Sequence, residues 1–374
     1  MDINNLKIGR EGTFVPPFRS NINTLKNYEK DGYDSIFFAD HLMNWIPESI
    51  WSPEITNLAN IFDSPHLIYD VFSMMTTAAL NTRKVHLGTG VTETFRRHPA
   101  VLAQTIITQD QLSRGRIILG IGTGEKENNV PYGIKWENPV GRLEEAIKII
   151  KMLWENDKKF NYNGNFWKLK NAIFSLKPYK EGKYPPIWVA AHGLKMLDIT
   201  GRLGDGWIPI LINPKAYKEK LEIIRNSAKK AGRNPDEITP ALIACVIIDE
   251  KREESDKMLE LPITKNNLLT LYSEDFDRYG ISHPLGENVK GAIEYIPTNY
   301  DKKTILEILD RIPIKMCRDF YLNGTPEEII GQIEDYAKAG VKHIVLFNCT
   351  ILCDIKKIPS SNKCMKAVIN YFKN

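Results

Sequence analysis

The segment FFADHLMNW, residues 37–45, places an acid, an imidazole and an indole directly after a short apolar run. Asp40 and His41 end the run, and Trp45 follows four residues after the histidine. An imidazole can give or take a proton near neutral pH, and burial beside an indole would tune its basicity. The segment predicts an acid–base group at the end of a strand. The alternative is a structural histidine that only terminates the strand.

Three more segments put small residues where a strand should end. They are LGTGVTETFRRHPA (87–100), ILGIGTGEKENN (118–129) and WVAAHG (188–193). Glycine allows the backbone to approach a ligand closely. Together the three turns predict a flat ligand lying across the strand ends, with Glu125 just beyond the second turn. Each turn taken alone is typical of an ordinary loop.

Basic side chains near these turns have two possible uses. His192 could bond a cofactor phosphate or simply fill its turn. Arg96 and Arg97 could meet an anionic cofactor tail, or they could be solvated surface residues.

The glycines of residues 118–129 do not form a dinucleotide-binding fingerprint. That motif needs a helix to open directly after the glycines, so that the phosphate meets its N-terminus. Here a polar stretch follows and is broken by Pro131 and Gly133. A Rossmann site is therefore disfavoured.

Composition excludes several classes of function. The chain has 374 residues, 43% of them apolar and 26% charged, with a net charge of +4. The basic residues are scattered, which argues against nucleic-acid binding, although a small anionic ligand would suit the charge. No apolar run reaches the ~18 residues of a membrane span, and the N-terminus lacks a signal sequence, so we expect a cytoplasmic protein.

The cysteines indicate neither disulfides nor a metal site. Five are present, no CxxC motif occurs, and an odd number suits a reducing compartment. Cys349 and Cys353 lie four residues apart without a second pair of ligands nearby, so we interpret them as structural. No metal is predicted.

The elements that must position these residues alternate between strand and helix. Apolar runs predict eight strands at 7–9, 35–39, 85–91, 116–121, 187–190, 206–208, 241–248 and 343–347. Residues 139–155 carry an apolar helical face after a possible Asn138 cap, and 326–339 begin with a capping box at Thr325 and Glu328. The alternation predicts a parallel sheet, either doubly wound or closed, and eight strands favour an α/β (β/α)8 TIM barrel.

Three segments are too long for a minimal barrel. They are residues 42–66, 158–186 and 249–324, which follow predicted strands 2, 4 and 7. Their aromatic and apolar content predicts packed lids rather than disorder. In the second, Asn163 and Gly164 predict a hairpin turn. No boundary divides the chain, so residues 1–374 are expected to form one domain.

The motifs together resemble the luciferase-like superfamily, in the branch that uses coenzyme F420, a deazaflavin. ADHLMNW is similar to its Asp-His-x-x-x-Trp, and GIGTGEKEN to its GxGxGE-x-x-N; GTGVT, WVAAHG and GRLGDGWIP match further landmarks. The similarity covers roughly residues 5 to 350, and the ketoreductases of phthiodiolone type give the most similar pattern. This branch implies a barrel with the deazaflavin in its mouth, and homodimers are usual in it.

The resemblance also implies roles for individual residues. His41, Trp45 and Glu125 match the catalytic positions of the F420-dependent sugar-phosphate and secondary-alcohol dehydrogenases. The Gly90–Val91 bond matches a non-prolyl cis peptide of relatives. The remaining positions that match the cofactor lining are Asp40, Thr92, Asn128, Ala191, His192 and Gly193.

Two departures limit what is carried over. The sugar-phosphate branch has Thr and Lys after its Gly-Asp-Gly, whereas Ile210 and Asn213 stand here, so no cation is offered to a sugar phosphate. The phthiodiolone group has an aliphatic residue at the position of Trp45.

The leading hypothesis is an F420-dependent oxidoreductase that moves a hydride between the deazaflavin and the carbonyl or alcohol of a small-molecule substrate. Three alternatives stay open. The first is a methylenetetrahydromethanopterin reductase, the second is an FMN-dependent monooxygenase, and the third is a cofactor-binding relative without turnover.

Overall fold

A closed barrel of eight parallel strands forms the centre of the molecule. The computed structural model describes residues 5–12 and 14–373. Each strand pairs with the next around the ring, and the last pairs with the first. The predicted (β/α)8 TIM barrel is confirmed. Its strands are β1 (Lys7–Gly12), β2 (Ser35–Phe38), β3 (His86–Thr89), β4 (Ile117–Ile121), β7 (Ile187–Val189), β8 (Gly206–Trp207), β9 (Thr239–Ile248) and β11 (His343–Asn348).

Helices surround the barrel because the strands are apolar on both faces. β2 and β4 are buried at every residue, which requires cover on the outside as well as packing within. The outer layer consists of α1 (Phe18–Lys30), α2 (Val71–Asn81), α3 (Pro99–Ser113), α4 (Pro139–Glu155), α5 (Leu194–Leu203), α6 (Pro214–Lys230), α12 (Pro326–Lys338) and α14 (Ile358–Lys373).

The two helices predicted in most detail are confirmed. In α4, Leu143, Ile147 and Trp154 are buried as the periodicity predicts. Asn138 precedes α4 but makes no capping bond, because its backbone is left-handed at φ 48° and its side chain does not reach the helix. The cap predicted there is therefore wrong. In α12 the capping box between Thr325 and Glu328 is present.

The segment 158–186 forms the predicted hairpin but lies beside the barrel. β5 (Phe160–Asn163) and β6 (Lys168–Ala172) pair antiparallel. The buried Glu145 carboxylate of α4 accepts hydrogen bonds from the backbone N–H groups of Asn165, Phe166 and Trp167. These bonds hold the hairpin against α4, where the Trp167 ring also meets His98 of the loop after β3 edge-on. The role of this segment as a lid stays a prediction.

The segment 249–324 folds into short helices around its own apolar cluster. It contains α7 (Arg252–Leu259), α8 (Pro262–Asn266), α9 (Ser273–Asp277), α10 (Lys302–Asp310), α11 (Ile314–Phe320) and β10 (Leu322–Gly324), which pairs with β9 outside the ring. Ile46 and Ile50 of the segment 42–66 join this cluster. So do Cys349, which precedes α13 (Thr350–Cys353), and Cys353, the last residue of that helix. Segments 42–66 and 249–324, both predicted as lids, thus pack on each other.

All five cysteines are buried with free thiols, in agreement with the structural interpretation. Within residues 5–12 and 14–373, no helix has both the length and the apolar character needed to cross a bilayer.

Candidate active site

A deep cavity opens at the C-terminal ends of the barrel strands. It encloses about 1900 Å³ including its open mouth. Residues from the ends of β1, β2, β3, β4 and β7 line it, together with Thr270, Tyr272 and Ile293 from the segment 249–324. Active sites of barrel enzymes lie at this end because the loops there converge from separate strands.

His41 stands in this cavity on the loop after β2. Its ring meets that of Trp45 edge-on, with 5.4 Å between centroids and an interplanar angle of 90°. Its Nδ1 lies 2.8 Å from Oε1 of Glu127 and 3.9 Å from Oε2 of Glu125. The three predicted catalytic side chains are therefore brought together, although their role is not tested by this geometry.

Glu127 is the acidic partner that sequence reasoning missed. Its side chain is fully buried, whereas Glu125 keeps 23% of its side chain exposed and lines the cavity. The only signal in the sequence was that Glu127 lies two residues after Glu125. In an irregular loop this spacing does not predict which way the Glu127 side chain points. Burial raises the pKa of Glu125 to about 8, with the Glu127 carboxyl group as the second cause. Burial also raises the pKa of Glu127 well above its usual value.

Asn128 connects the loops that carry His41 and the two acids. Its Oδ1 accepts from the backbone N–H of Leu42 at 2.7 Å. Its Nδ2 lies 3.2 Å from Oε1 of Glu127 and 3.1 Å from Nδ1 of His41. Asn128 lines the cavity as predicted, and its hydrogen bonds also fix the approach of the two loops.

Asp40 and Thr92 both line the cavity, and Asp40 accepts hydrogen bonds from Thr92 and from two arginines. The Thr92 hydroxyl and Arg97 Nη1 both donate to Asp40 Oδ2 at 2.6 Å. Arg96 Nη2 donates to the Asp40 carbonyl oxygen at 2.7 Å. Both arginines are thus held by Asp40 rather than simply solvated, and only Arg96 reaches the cavity wall.

Backbone forms part of the cavity wall at the predicted small residues. Gly90 and Val91 line it, and the peptide bond between them is cis. Gly193, the residue before α5, also lines it, and a Cβ built there would meet nothing within 4 Å. His192 lines it beside Tyr272, and burial followed by the charge of Lys220 lowers its pKa to about 3. This imidazole is therefore neutral at physiological pH.

Ala191 is the one predicted cofactor residue that lies outside the cavity. It is 2% exposed, and its carbonyl oxygen accepts from Trp207 Nε1 at 2.9 Å. Ala190 lines the cavity instead. The side chains of successive residues at a strand end point to opposite sides. A shift of one position therefore moves a side chain from the cavity wall into the core.

Glu11 is a second acidic residue that the sequence did not predict. It lies in β1, which runs to Gly12 rather than ending at residue 9, and it lines the cavity. Burial raises its pKa to about 7, and the nearby His41 and Arg10 oppose that shift. A carboxyl group with this pKa changes protonation in the range where enzymes usually work.

One flank of the cavity is apolar. Its members come from the loop after β1, the end of β2, the loop before α2 and the beginning of α2: Phe14, Val15, Phe38, Leu67, Ile68, Val71 and Met74. The site therefore pairs an imidazole and carboxyl groups with apolar walls, which suits binding of an organic molecule that must be kept from water.

The cluster of His41 and the two glutamates also has a geometry that would suit a cation. His41, Glu125 and Glu127 each offer one ligand atom, and these atoms lie within 4.8 Å of one another. The absence of a metal was predicted from the sequence and remains a prediction.

Comparison of the sequence with known proteins identifies the family to which the chain belongs. The profile of the family described as luciferase-like monooxygenase matches residues 5–343. A phthiodiolone/phenolphthiodiolone dimycocerosates ketoreductase of Mycobacterium tuberculosis is 38% identical over 91% of this chain and 89% of its own length. A 5,10-methylenetetrahydromethanopterin reductase of Archaeoglobus fulgidus is 32% identical over 74% of this chain and 80% of its own length.

Solved structures agree on the fold. An F420-dependent secondary alcohol dehydrogenase bound to an F420–acetone adduct superposes with a TM-score of 0.75 at 22% identity, covering 97% of this chain and 99% of that one. The coenzyme F420-dependent tetrahydromethanopterin reductase of Methanopyrus kandleri gives 0.73 at 23% identity, covering 97% of each chain. The resemblance carried by the strand-end motifs is confirmed: the chain belongs to the luciferase-like monooxygenase family.

Proposed function

We propose that the protein is a coenzyme F420-dependent oxidoreductase that exchanges a hydride between the deazaflavin and the carbonyl or alcohol group of a small-molecule substrate. The observation that carries the proposal is the placement of His41. Its Nδ1 is bonded to Glu127, while Nε2 has no hydrogen-bond partner among residues 5–12 and 14–373 and the ring lines the cavity. The ketoreductase among the relatives supports the same chemistry.

The residues present fit a flat, anionic cofactor. The wall at Gly90, Gly122 and Gly193 is backbone, which a planar ring system can approach closely. Gly193 also precedes the N-terminus of α5, whose free N–H groups favour a phosphate. The neutral His192 beside it can donate a hydrogen bond. Glu125 would lie near the redox ring, and the other cofactor contacts are those predicted for Asp40, Thr92 and Asn128.

When bound, a deazaflavin supplies hydride exchange at a carbon atom and does not readily activate oxygen. The chain must supply the proton that balances this hydride. When a ketone is reduced, the protonated imidazole of His41 gives the Nε2 proton to the forming alkoxide oxygen; in the reverse direction it takes that proton. Trp45 and the apolar flank exclude water from the reacting atoms.

Two measurements test the proposal. Titration of oxidised F420 with protein should change the cofactor's fluorescence and show tight binding. Turnover is followed through the cofactor's characteristic absorbance band with secondary alcohols, or in the reverse direction with ketones. His41→Ala should reduce turnover by about 100- to 10,000-fold while cofactor affinity persists. No binding at micromolar protein contradicts the cofactor, and unchanged turnover in His41→Ala contradicts the acid–base role.

A second candidate is reduction of a pterin-bound one-carbon unit, favoured by the reductase of Archaeoglobus fulgidus among the relatives. Parallel assays with methylenetetrahydromethanopterin and with simple ketones separate the two substrates. An FMN-dependent monooxygenase is the third possibility, since the neighbours include a long-chain alkane monooxygenase with a TM-score of 0.69 at 16% identity. A yellow purified protein with oxygen-dependent turnover would favour it.

The proposal includes the expected setting of the enzyme, a homodimer in the reducing cytoplasm. Light scattering after size-exclusion chromatography measures the mass in solution, and a monomer mass at micromolar concentration contradicts the dimer.

A further inference from the structure

Glu127 contacts the candidate acid–base residue without reaching the reactants. It does not line the cavity, and its side chain is fully buried behind His41. Its Oε1 lies 2.8 Å from His41 Nδ1. Its Oε2 is buried and has no hydrogen-bond partner within the described part of the chain. A group in this place can act on the reaction only through its neighbours, and the His41 imidazole at 2.8 Å is the nearest of these in the cavity wall.

Asn128 donates hydrogen bonds within this cluster. Because Asn128 Oδ1 accepts from the Leu42 N–H, its Nδ2 must face the acids and the imidazole, at 3.2 Å from Oε1 of Glu127, 3.4 Å from Oε2 of Glu125 and 3.1 Å from Nδ1 of His41. Its two N–H groups match the two carboxyl oxygens, which leaves His41 Nδ1 to act as a donor. Glu127 Oε1 therefore accepts from Asn128. The same oxygen can also accept from His41 only if the imidazole carries its proton on Nδ1.

We propose that Glu127 is a positioning residue, which accepts the Nδ1–H of His41 and so leaves Nε2 as the atom that exchanges a proton in the cavity. The inference rests on the acid–base role proposed above for His41. A buried hydrogen-bond acceptor on the far nitrogen selects the tautomer, holds the ring in one orientation and stabilises the imidazolium form.

The charges around His41 are compatible with this arrangement. Glu125 and Glu11 face the ring from the loop after β4 and from β1, and Arg96 lies near both Glu125 and Glu127. Burial raises the pKa values of both Glu125 and Glu127, which favours their protonated forms. Oε1 of Glu127 stays an acceptor when Glu127 is ionised and also when its proton is on Oε2, the oxygen without a partner in the described part of the chain.

The tautomer can be measured without turnover. Long-range nitrogen–proton NMR spectra of protein labelled with ¹⁵N-histidine report which ring nitrogen carries the proton, and His41→Ala assigns the signal. We expect the Nδ1–H tautomer in the wild type. We expect a shift toward the Nε2–H tautomer in Glu127→Leu, which removes the acceptor. Glu127→Gln keeps an acceptor oxygen and should restore the wild-type tautomer at least in part.

Activity gives the second readout. Glu127→Leu should lower kcat about 100-fold and shift the pH profile, with the KM for cofactor changed by less than about threefold. Glu125→Gln is the matched control, because it faces the cavity. It should weaken cofactor binding and leave the His41 tautomer unchanged.

Several results would overturn the inference. One is an Nε2–H tautomer in the wild type, a result that does not depend on the folding of any Glu127 variant. Another is a tautomer that Glu127→Leu leaves unchanged. A divalent metal ion in purified protein would make Nδ1 a ligand instead of a donor. By contrast, full turnover in His41→Ala removes the acid–base role while the tautomer result can still hold, so the two failures are distinguishable.

Discussion

Glu11 carries a cost in stability that depends on pH. Burial raises its pKa from the usual 4.5 to about 7. Between these values the folded chain holds a proton that the unfolded chain has already lost, so raising the pH lowers the free energy of unfolding. With respect to Glu11, the stability of the folded chain is therefore highest below pH 4.5, where Glu11 is protonated in both states, and this advantage is lost as the pH rises through 7.

We expect Glu11→Gln to remove this dependence. From about pH 5 to about pH 8 the wild type should lose up to about 3 kcal/mol relative to the variant, with no further divergence above that range. Chemical denaturation of both proteins without cofactor measures the difference at each pH. Parallel pH profiles for the two proteins would show that Glu11 does not titrate in this window.

Gly193 is the residue at which a side chain would enter the cavity without disturbing the fold. Its φ of −81° suits any residue, and an added Cβ meets no atom within 4 Å. Gly193→Val should therefore fold normally but weaken F420 binding at least about tenfold, because the methyl groups occupy ligand space. Gly331→Ala in α12 is the control, since its Cβ also meets nothing within 4 Å and lies away from the site. Equal affinities in both variants would place the cofactor elsewhere in the cavity.

At the scale of elements, two buried side chains each hold a segment in place. Asn266 of α8 donates from Nδ2 to the Trp45 carbonyl oxygen at 3.0 Å and accepts from the Tyr295 hydroxyl at 2.8 Å. It therefore ties the His41–Trp45 loop to the segment 249–324. Glu145 does the same for the β5–β6 hairpin, at a distance from the cavity.

We predict that truncating either side chain lowers stability but that only one affects turnover. Asn266→Ala and Glu145→Ala should each cost about 1–3 kcal/mol or more, because buried backbone groups lose their partners. Asn266→Ala should also lower kcat, since the loop with His41 loses its support. Denaturation and steady-state turnover of both variants provide the comparison. Normal kcat in Asn266→Ala would mean that the loop is held adequately by Asn128.

At the scale of the whole molecule, the segment 249–324 and the barrel enclose the cavity together. Ile293 accepts from the backbone N–H of Lys126, next to Glu125, and the Lys126 ammonium pairs with Glu294 at 3.3 Å. Thr270 and Tyr272 line the cavity from the same segment, whereas the β5–β6 hairpin contributes no lining residue. The cavity lining is therefore divided between the strand ends and the large insertion.

Cofactor binding should therefore protect particular segments from hydrogen exchange. We expect slower exchange on adding F420 in residues 41–45, 90–93 and 270–293, and no change in 160–172. Mass spectrometry of exchanged peptides measures this, with the hairpin as the internal control. Protection confined to the barrel loops would show that the insertion does not close over the bound cofactor.

The sequence alone determined the barrel and the polar part of the cavity wall at the strand ends. Hydrophobic periodicity and turn residues are local properties, so eight strands, α4 and the capping box of α12 could be read directly. The motifs at the strand ends also predicted His41, Trp45 and Glu125 in one cavity, because the C-terminal ends of parallel barrel strands converge.

Only the tertiary structure decided which side chains meet and which way they point. Glu127 and His41 are 86 residues apart in sequence, and their contact depends on how two irregular loops are fixed by Asn128. Ala191 lies in the core while Ala190, one position before it, lines the cavity, and β1 runs three residues beyond its predicted end, which brings Glu11 into the cavity wall. Side-chain direction outside regular elements follows from packing and hydrogen bonds between distant segments, which no local pattern encodes.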